Sequence, residues 1–148
     1  MSPDWIEYGY GGLFAGAFLA ATLVPFPSEA LLAGALGLGL DPIVAVTVAT
    51  IGNTLGGLTN YGLGYLANND KFLTRIGIQM DRTHKWEKRS NRWGYWLGLI
   101  AWLPIVGDPM LVALGFLKTR FWPLSLMVFI GKLVRYCVLA YLFYALNS

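Results

Sequence analysis

Four ionisable side chains lie inside otherwise apolar stretches of this chain: two acids, Glu29 and Asp108, and two bases, Lys132 and Arg135. A carboxyl group in a low-dielectric cleft resists ionisation and can load and release a proton near neutral pH. The two bases are one helical turn apart, and two cations on one face can bind a phosphate group. These residues therefore predict proton or gating acids at Glu29 and Asp108 and an anionic headgroup site at Lys132 and Arg135.

Each of these predictions has a structural alternative. Glu29 and Asp108 each follow a proline break, where the N-terminus of the next helix stabilises an anion, so both could be helix caps. Lys132 and Arg135 could instead form salt bridges with the two acids. A charged side chain costs about 2.5–3.5 kcal/mol at the bilayer centre on insertion scales. The four side chains must therefore face each other or a wet cavity.

Other reactive side chains are poorly placed for catalysis. His84 has no Cys or His at metal-ligand spacing, and Ser28 has no His near enough for a nucleophile triad. Cys137 is the single cysteine, which excludes an intrachain disulfide. We therefore predict no catalytic residues, no metal and no cofactor. A membrane-embedded enzyme such as a lipid phosphatase would need a nucleophile or metal cluster that this pattern lacks.

The composition predicts a membrane protein. Hydrophobic residues make up 56% of the 148 residues and charged residues 13%, whereas a soluble domain carries about 25% charged residues. Such a chain has too little polar surface to cover a globule in water, so its natural solvent is a bilayer. We predict an all-α integral membrane protein with one membrane domain over residues 1–148.

The chain contains an internal repeat with an offset of 79 residues, and the register holds from residue 25 to residue 53. The matched pairs include Pro25 with Pro104, Glu29 with Asp108, Gly52 with Gly131, and Asn53 with Lys132. We assign repeat 1 to about 9–66 and repeat 2 to about 93–146.

Each repeat is predicted to form a re-entrant helical hairpin followed by one transmembrane helix. The apolar pieces around the proline breaks are 9–24, 28–40, 93–103 and 110–117. All are shorter than the roughly 20 residues that a spanning helix needs, and proline interrupts a helix. The longer apolar runs, 43–66 and 123–146, are sufficient to span.

Irregular backbone at membrane depth is tolerated only where protein or a water-filled cavity surrounds it. We therefore predict a cleft between the two hairpins. Its predicted lining residues are Pro25, Pro104, Gly107, Gly52, Gly131 and Asn53. For Asn53, an interhelical hydrogen bond is the alternative.

Residues 67–92 connect the repeats and contain seven basic and three acidic side chains. Phe72, Ile76 and Met80 recur at helical spacing after the cap signal Asn68-Asn69-Asp70, which predicts an amphipathic helix at the membrane surface. A solvated basic loop is the alternative for 82–92. Such a basic segment in a membrane protein meets anionic lipid more often than nucleic acid.

The positive-inside rule places 67–92 in the cytoplasm. Nine of the eleven basic residues are then cytoplasmic, and the other two lie within a span. The two repeats then have opposite orientation, which is the inverted-topology plan of many transporters. A plain bundle of six short helices with accidental symmetry is the alternative.

Several motifs together resemble the DedA family, and more narrowly its YqaA-like branch, which carries a VTT or SNARE-associated type of domain. They are Pro25-x-Pro27-x-Glu29, Ala49-Thr50-Ile51-Gly52-Asn53-Thr54-Leu55-Gly56-Gly57, Pro104-Ile105-Val106-Gly107-Asp108-Pro109 and Gly131-Lys132-x-x-Arg135-Tyr136. The resemblance covers about residues 13–140 and implies a multi-pass bacterial inner-membrane protein with two facing re-entrant hairpins. It also implies flipping or scrambling of polyprenyl phosphate or phospholipids, with support of the proton-motive force in some members.

One departure from the family pattern concerns charge. Many members carry an Arg three residues before and three residues after the second-hairpin proline, where this chain has Ala101 and Gly107. Lys132 and Arg135 could supply that charge from the opposite helix. Among the acids, Glu29 matches the family motif best.

These observations predict a transporter, flippase or scramblase for an anionic lipid, with proton coupling through the acids. A non-catalytic membrane scaffold or assembly factor and a small-ion transporter are the alternatives. Membrane lipids with anionic headgroups are the expected partners, and no nucleic acid is expected. The small-residue faces Gly12-x-x-x-Gly16 and Gly94-x-x-x-Gly98 could serve either internal packing or a homodimer.

Overall fold

The computed structural model describes residues 3–22, 27–68, 75, 80–103 and 107–147. Within these ranges the chain is helical and contains no strand. A 3-10 helix covers Gly94–Trp102. The α-helices are α1 (Pro3–Ala21), α2 (Ser28–Gly37), α3 (Pro42–Ala67), α4 (Met80–Trp93), α5 (Gly107–Phe116) and α6 (Phe121–Asn147).

Two of the described helices, α3 and α6, are long and apolar enough to cross a membrane. With 26 and 27 residues, each is roughly 40 Å long at 1.5 Å per residue, longer than the roughly 30 Å hydrocarbon core. The predicted helices over 43–66 and 123–146 are therefore confirmed. Asp41 caps the start of α3, because its carboxylate accepts the N–H groups of Ile43 at 2.9 Å and Val44 at 3.1 Å.

The first pair of short helices, α1 and α2, pack against each other. Helix α1 begins at Pro3 and has 19 residues, so the predicted start at residue 9 was wrong. Proline is tolerated at the first helical position, where its missing N–H has no intrahelical partner anyway. Pro27 is the N-cap residue of α2, in an extended conformation, whereas Pro25 lies outside the described residues.

The second pair of short helices differs from the prediction in helix type and boundary. The piece predicted over 93–103 is a 3-10 helix, and it packs against both α4 and α5. Helix α5 begins at Gly107 instead of residue 110, because Pro109 stands in the first turn, where a proline breaks no hydrogen bond. Pro104 lies outside the described residues.

The basic connecting segment is helical from Met80 to Trp93. The alternative of an irregular loop over 82–92 is therefore wrong. Residues 69–74 and 76–79, with Phe72 and Ile76, lie outside the described part of the chain. Asn68, from the predicted cap signal, donates its amide to the Glu87 carboxylate and to the Phe116 carbonyl.

The chain forms two compact units, and the division falls inside the two long helices. Unit 1 contains Met1–Gly57 with Lys132–Ser148, and unit 2 contains Leu58–Gly131. The core of unit 1 includes Leu13, Leu32, Leu36, Ala49, Tyr136 and Ala140. The core of unit 2 includes Tyr61, Leu111, Leu114, Leu124 and Val128.

The turns that follow α2 and α5 have the same backbone geometry at the predicted offset of 79 residues. Gly39 and Lys118 occupy equivalent positions, and both have positive φ, at 86° and 53°. The N–H groups of Leu38, Gly39 and Leu40 donate to the carbonyls of Gly34, Leu36 and Ala35, and those of Leu117, Lys118 and Thr119 donate to Ala113, Gly115 and Leu114. At these two turns the register therefore describes the backbone as well as the residue types.

Candidate functional site

Lys132 is a fully buried cation in the middle of α6, with 0% of its surface exposed. Its ammonium group donates a hydrogen bond to Asn53 Oδ1 on α3. The other end of the Asn53 amide, Nδ2, donates to the Ala17 carbonyl of α1 at 2.8 Å. The predicted interhelical role of Asn53 is thus observed, and one hydrogen-bonded chain joins α1, α3 and α6 within unit 1.

Arg135, one turn further along α6, forms an ion pair with Glu29 in the first turn of α2. The Arg135 side chain is 11% exposed, whereas the Glu29 side chain is 38% exposed. The carboxylate therefore has an open side, and the guanidinium is largely enclosed. The structural alternative of a salt bridge therefore applies to Arg135. The alternative of a helix cap does not apply to Glu29, because the N-cap residue of α2 is Pro27.

Ser28 and Tyr136 complete this cluster and were missed as site residues by the sequence reasoning. The Tyr136 hydroxyl donates to Ser28 Oγ at 2.9 Å, and both side chains are buried. The Arg135 guanidinium also lies 3.5 Å from Ser28 Oγ. The repeat could have identified Ser28 as a site residue. Ser28 maps onto Gly107, so only the first copy has a hydroxyl group at this position.

Gly52 and Gly131, predicted to line a cleft, are buried at helix contacts. A Cβ on Gly52 would lie 2.6 Å from the Phe14 carbonyl oxygen of α1. A Cβ on Gly131 would lie 2.8 Å from the Leu99 carbonyl oxygen of the 3-10 helix. Gly52 therefore allows α3 to approach the backbone of α1 closely, and its repeat-mate Gly131 allows α6 to approach the backbone of the 3-10 helix.

Asp108 and Gly107 belong to unit 2, at the start of α5. Asp108 is partly exposed in the first turn of this helix. The repeat position that corresponds to Arg135 is Gly56, so the repeat supplies no arginine there. The structure thus brings Glu29, Lys132, Arg135 and Asn53 together in unit 1.

No group of three or more metal-ligating side chains occurs in the part of the chain that the structure describes. The cluster in unit 1 instead offers two cations, one partly exposed carboxylate and two buried hydroxyl groups. Such a set can exchange a carboxylate for a phosphate oxyanion on an enclosed guanidinium.

Two of the described helices have the length and composition of membrane-spanning helices, and one of them carries charged groups in its middle. The VTT domain family model matches residues 26–145. The chain therefore belongs to the VTT domain family, the DedA family, and the predicted resemblance is confirmed. DedA family membrane proteins are not known as enzymes.

Three relatives show how far the similarity extends. The chain is 35% identical over 133 residues to inner membrane protein YqaA of Escherichia coli K12, covering 86% of both chains. It is 36% identical over 138 residues to an uncharacterized protein of Haemophilus influenzae, covering 88% of this chain and 84% of the relative. A Methanocaldococcus jannaschii protein is 28% identical over 135 residues, covering 88% and 81%. No solved structure matches the chain significantly.

Proposed function

We propose that this protein moves an anionic lipid, a polyprenyl phosphate or a phospholipid, across the bacterial inner membrane as a transporter, flippase or scramblase. The observation that carries the proposal is the enclosed guanidinium of Arg135, held by the partly exposed carboxylate of Glu29 beside the buried Lys132. A guanidinium binds phosphate through two parallel hydrogen bonds. A phosphate headgroup is therefore the ligand that can replace Glu29 on Arg135.

In this proposal Glu29 is the gating acid. At rest its carboxylate neutralises Arg135, and the arriving phosphate displaces it. A displaced carboxylate with an open side can take up a proton, which would couple lipid movement to the proton gradient. Lys132, fixed by Asn53, adds a second positive charge one turn away. Asp108 is proposed as the corresponding acid of the second copy.

We further propose that the two copies form an inverted repeat with re-entrant hairpins, with residues 67–92 in the cytoplasm. The position of Arg135 supports the hairpin, because it lies fourteen residues after the start of α6 at Phe121 and twelve before its end at Asn147. The first turn of α2 therefore lies against the middle of a membrane-length helix. This is the depth at which a re-entrant hairpin would turn back.

The hydrogen bond between Asn53 and Lys132 supports the repeat in a second way. These two residues are equivalent under the 79-residue register, and they touch each other. Equivalent residues of two copies related by a two-fold axis can touch only near that axis. A pair of broken helices around such an axis is the plan that transporters use for a binding site at mid-membrane.

We propose a homodimer as the assembly, and the packing around the glycines supports one of the two small-residue faces as its surface. A Cβ on Gly94 would lie 2.6 Å from Ser90 Oγ, and a Cβ on Gly98 would lie 3.0 Å from Leu124. This predicted small-residue face is thus occupied by internal packing. On α1, a Cβ on Gly16 would overlap the Leu31 side chain, whereas Gly11 and Gly12 have no atom within 4 Å of a Cβ built there. The surface of α1 around Gly11 and Gly12 is therefore the one proposed to meet a second copy.

The test is lipid movement in liposomes that contain the purified protein, with a labelled polyprenyl phosphate and a labelled phospholipid. We expect Glu29→Gln and Arg135→Gln to lower the rate at least about tenfold, because each removes one partner of the exchange. Glu7→Gln and Arg120→Gln are matched controls, since each removes the same charge from an exposed position. Both controls should move lipid at the wild-type rate.

Circular dichroism and size-exclusion chromatography establish that each variant is folded. If folded wild-type protein moves neither lipid, the proposal is wrong, and a scaffold or a small-ion transporter is the remaining function. If the two site variants move lipid as fast as the wild type, the Glu29–Arg135 pair is structural only.

A further inference from the structure

Unit 2 contains a cavity of about 330 Å³ between α4, the 3-10 helix and α5. We call it the basic cavity. Its lining residues are Arg89, Ser90, Trp93, Gly94, Leu97, Leu114 and Leu117. The Ser90 hydroxyl is hydrogen-bonded to Thr119 Oγ1, so the wall is apolar except for the guanidinium of Arg89. Its volume is at the lower end of the range of small-molecule sites, about 300–1,000 Å³.

Positive charge gathers around this apolar wall. Arg89 is itself a lining residue and is exposed. The Arg92 guanidinium lies 5.5 Å from the ring centroid of Trp93, which lines the cavity and is 60% exposed. Lys118 follows Leu117, another lining residue. An apolar cavity with one arginine in its wall, a second arginine against one of its lining tryptophans and a lysine next in sequence to a lining leucine is complementary to a molecule with an acyl chain and an anionic head.

Lys118 holds a backbone conformation that favours glycine. Its φ is 53°, in the left-handed region that residues with a Cβ disfavour. The equivalent residue of the first copy is Gly39, at φ 86°. The Lys118 ammonium lies 5.7 Å from the Tyr65 ring centroid, and this contact holds the charge at the end of α5. The second copy thus has a cation at the position where the first copy has a glycine in the same turn.

A cavity in unit 1 provides the contrast. It has a volume of about 290 Å³ and lies between the start of α3 and the second half of α6. Its lining residues are Pro42, Ile43, Val46, Thr47, Leu133, Cys137 and Ala140. None of these lining residues is ionised, although the two cavities are similar in size. An apolar cavity of this size is therefore not always surrounded by basic residues, so the charge around the basic cavity is a separate feature of unit 2.

We propose that the basic cavity binds one membrane phospholipid with an anionic headgroup. Its acyl chain enters the space between Trp93, Leu97 and Leu114, and its phosphate lies against Arg89, within the positive potential of Arg92 and Lys118. Exposed tryptophans such as Trp93 and Trp96 are typical of the headgroup level of a bilayer. The inference depends on membrane association, which the family shows, and not on the transport proposed above.

Native mass spectrometry of the full chain in detergent tests this proposal, with phosphatidylglycerol and phosphatidylcholine of the same acyl chains. We expect one phosphatidylglycerol per chain and at least about fivefold weaker binding of phosphatidylcholine, because a basic side chain near a lipid surface contributes roughly that factor. Inorganic phosphate lacks an acyl chain and should not compete at equal concentration.

Two variants probe the two parts of the site. Lys118→Gly removes a charge and introduces the residue that the first copy has in this turn, so we expect the variant to fold. It should bind phosphatidylglycerol about fivefold more weakly. Leu97→Trp fills the cavity from a partly exposed position and should weaken both lipids. Lys88→Gln, on the same helix but outside the lining, and Leu126→Trp, exposed on α6, are the matched controls.

Equal binding of the two lipids, or wild-type binding by both Lys118→Gly and Leu97→Trp, would overturn the proposal. Competition by inorganic phosphate alone would identify a free-anion site and overturn the lipid assignment. Binding is measured on the protein itself. A chain that moves no lipid in liposomes can still bind phosphatidylglycerol here, so this result and the test of transport are independent.

Discussion

Units 1 and 2 share the backbone geometry of one turn but hold their helices together with different chemistry. In unit 1, α2 meets α6 through the Glu29–Arg135 ion pair and the Ser28–Tyr136 hydrogen bond. In unit 2, α5 meets α3 through glycine, because a Cβ on Gly115 would overlap the Tyr61 carbonyl oxygen. The two helix pairs correspond in the repeat, but they meet at different positions, through polar side chains in unit 1 and through a close backbone approach in unit 2.

The repeat register shows how this difference arises. Ser28, Arg135 and Tyr136 map onto three glycines, which are Gly107, Gly56 and Gly57. Gly56 cannot accept any side chain easily, because a Cβ there would overlap the Phe18 carbonyl oxygen. Under this register, one copy carries charged and hydroxyl side chains where the other carries glycines.

The largest loss of stability is expected in unit 2, where it tests the packing side of this comparison. Gly115→Ala forces a Cβ onto the Tyr61 carbonyl, so we expect a loss of about 3 kcal/mol in the free energy of unfolding. Gly34→Ala on α2 is the matched control, because no atom lies within 4 Å of a Cβ there. It should raise stability by up to about 1 kcal/mol. Thermal unfolding in detergent measures both, and equal stability of the two variants would contradict the packing account.

The ion pair in unit 1 should give the next largest effect. Removing one partner of a fully buried pair costs about 3–5 kcal/mol, and the 38% exposure of Glu29 reduces the expected loss for Glu29→Gln to about 1–2 kcal/mol. A double-mutant cycle with Arg135→Gln should give a coupling energy of about 1–2 kcal/mol. A coupling energy near zero would show that the pair contributes no stability.

The hydroxyl contact of unit 1 should have a smaller effect. Tyr136→Phe removes the hydrogen bond to Ser28 without opening a cavity, so we expect about 0.5–1.5 kcal/mol of lost stability. Tyr141→Phe is the matched control, because Tyr141 is exposed. Unfolding curves of the two variants should separate, and coincident curves would show that the Ser28–Tyr136 contact is dispensable.

The smallest effect should come from the turns that the copies share. Lys118→Gly relaxes a positive φ and should leave stability unchanged or raise it by up to about 1 kcal/mol. The reciprocal change Gly39→Ala should lower stability by about 1 kcal/mol, since alanine disfavours this conformation. A stabilising Gly39→Ala would mean that the two turns differ in solution.

The sequence predicted the long helices because they depend on local properties of the chain. Length and apolar composition identify α3 and α6, and the 79-residue register holds for backbone hydrogen bonds that no side chain reveals. The start of α5 was wrong because Pro109 was interpreted as part of the break, and the start of α1 was wrong because the prediction followed the apolar stretch 9–24 alone. The 3-10 form of Gly94–Trp102 has no marker in its composition.

The class of protein, its family and the residue types of the site were determined by the sequence alone, since charges inside apolar runs stand out without any structure. Only the tertiary structure decided how those charges are paired. Glu29 and Arg135 are 106 positions apart, and their pairing depends on the first turn of α2 lying against the middle of α6. It also decided that Gly52 and Gly131 are packing residues and that Lys132 bonds to its own repeat-mate, because distances between helices depend on the whole chain and not on local spacing.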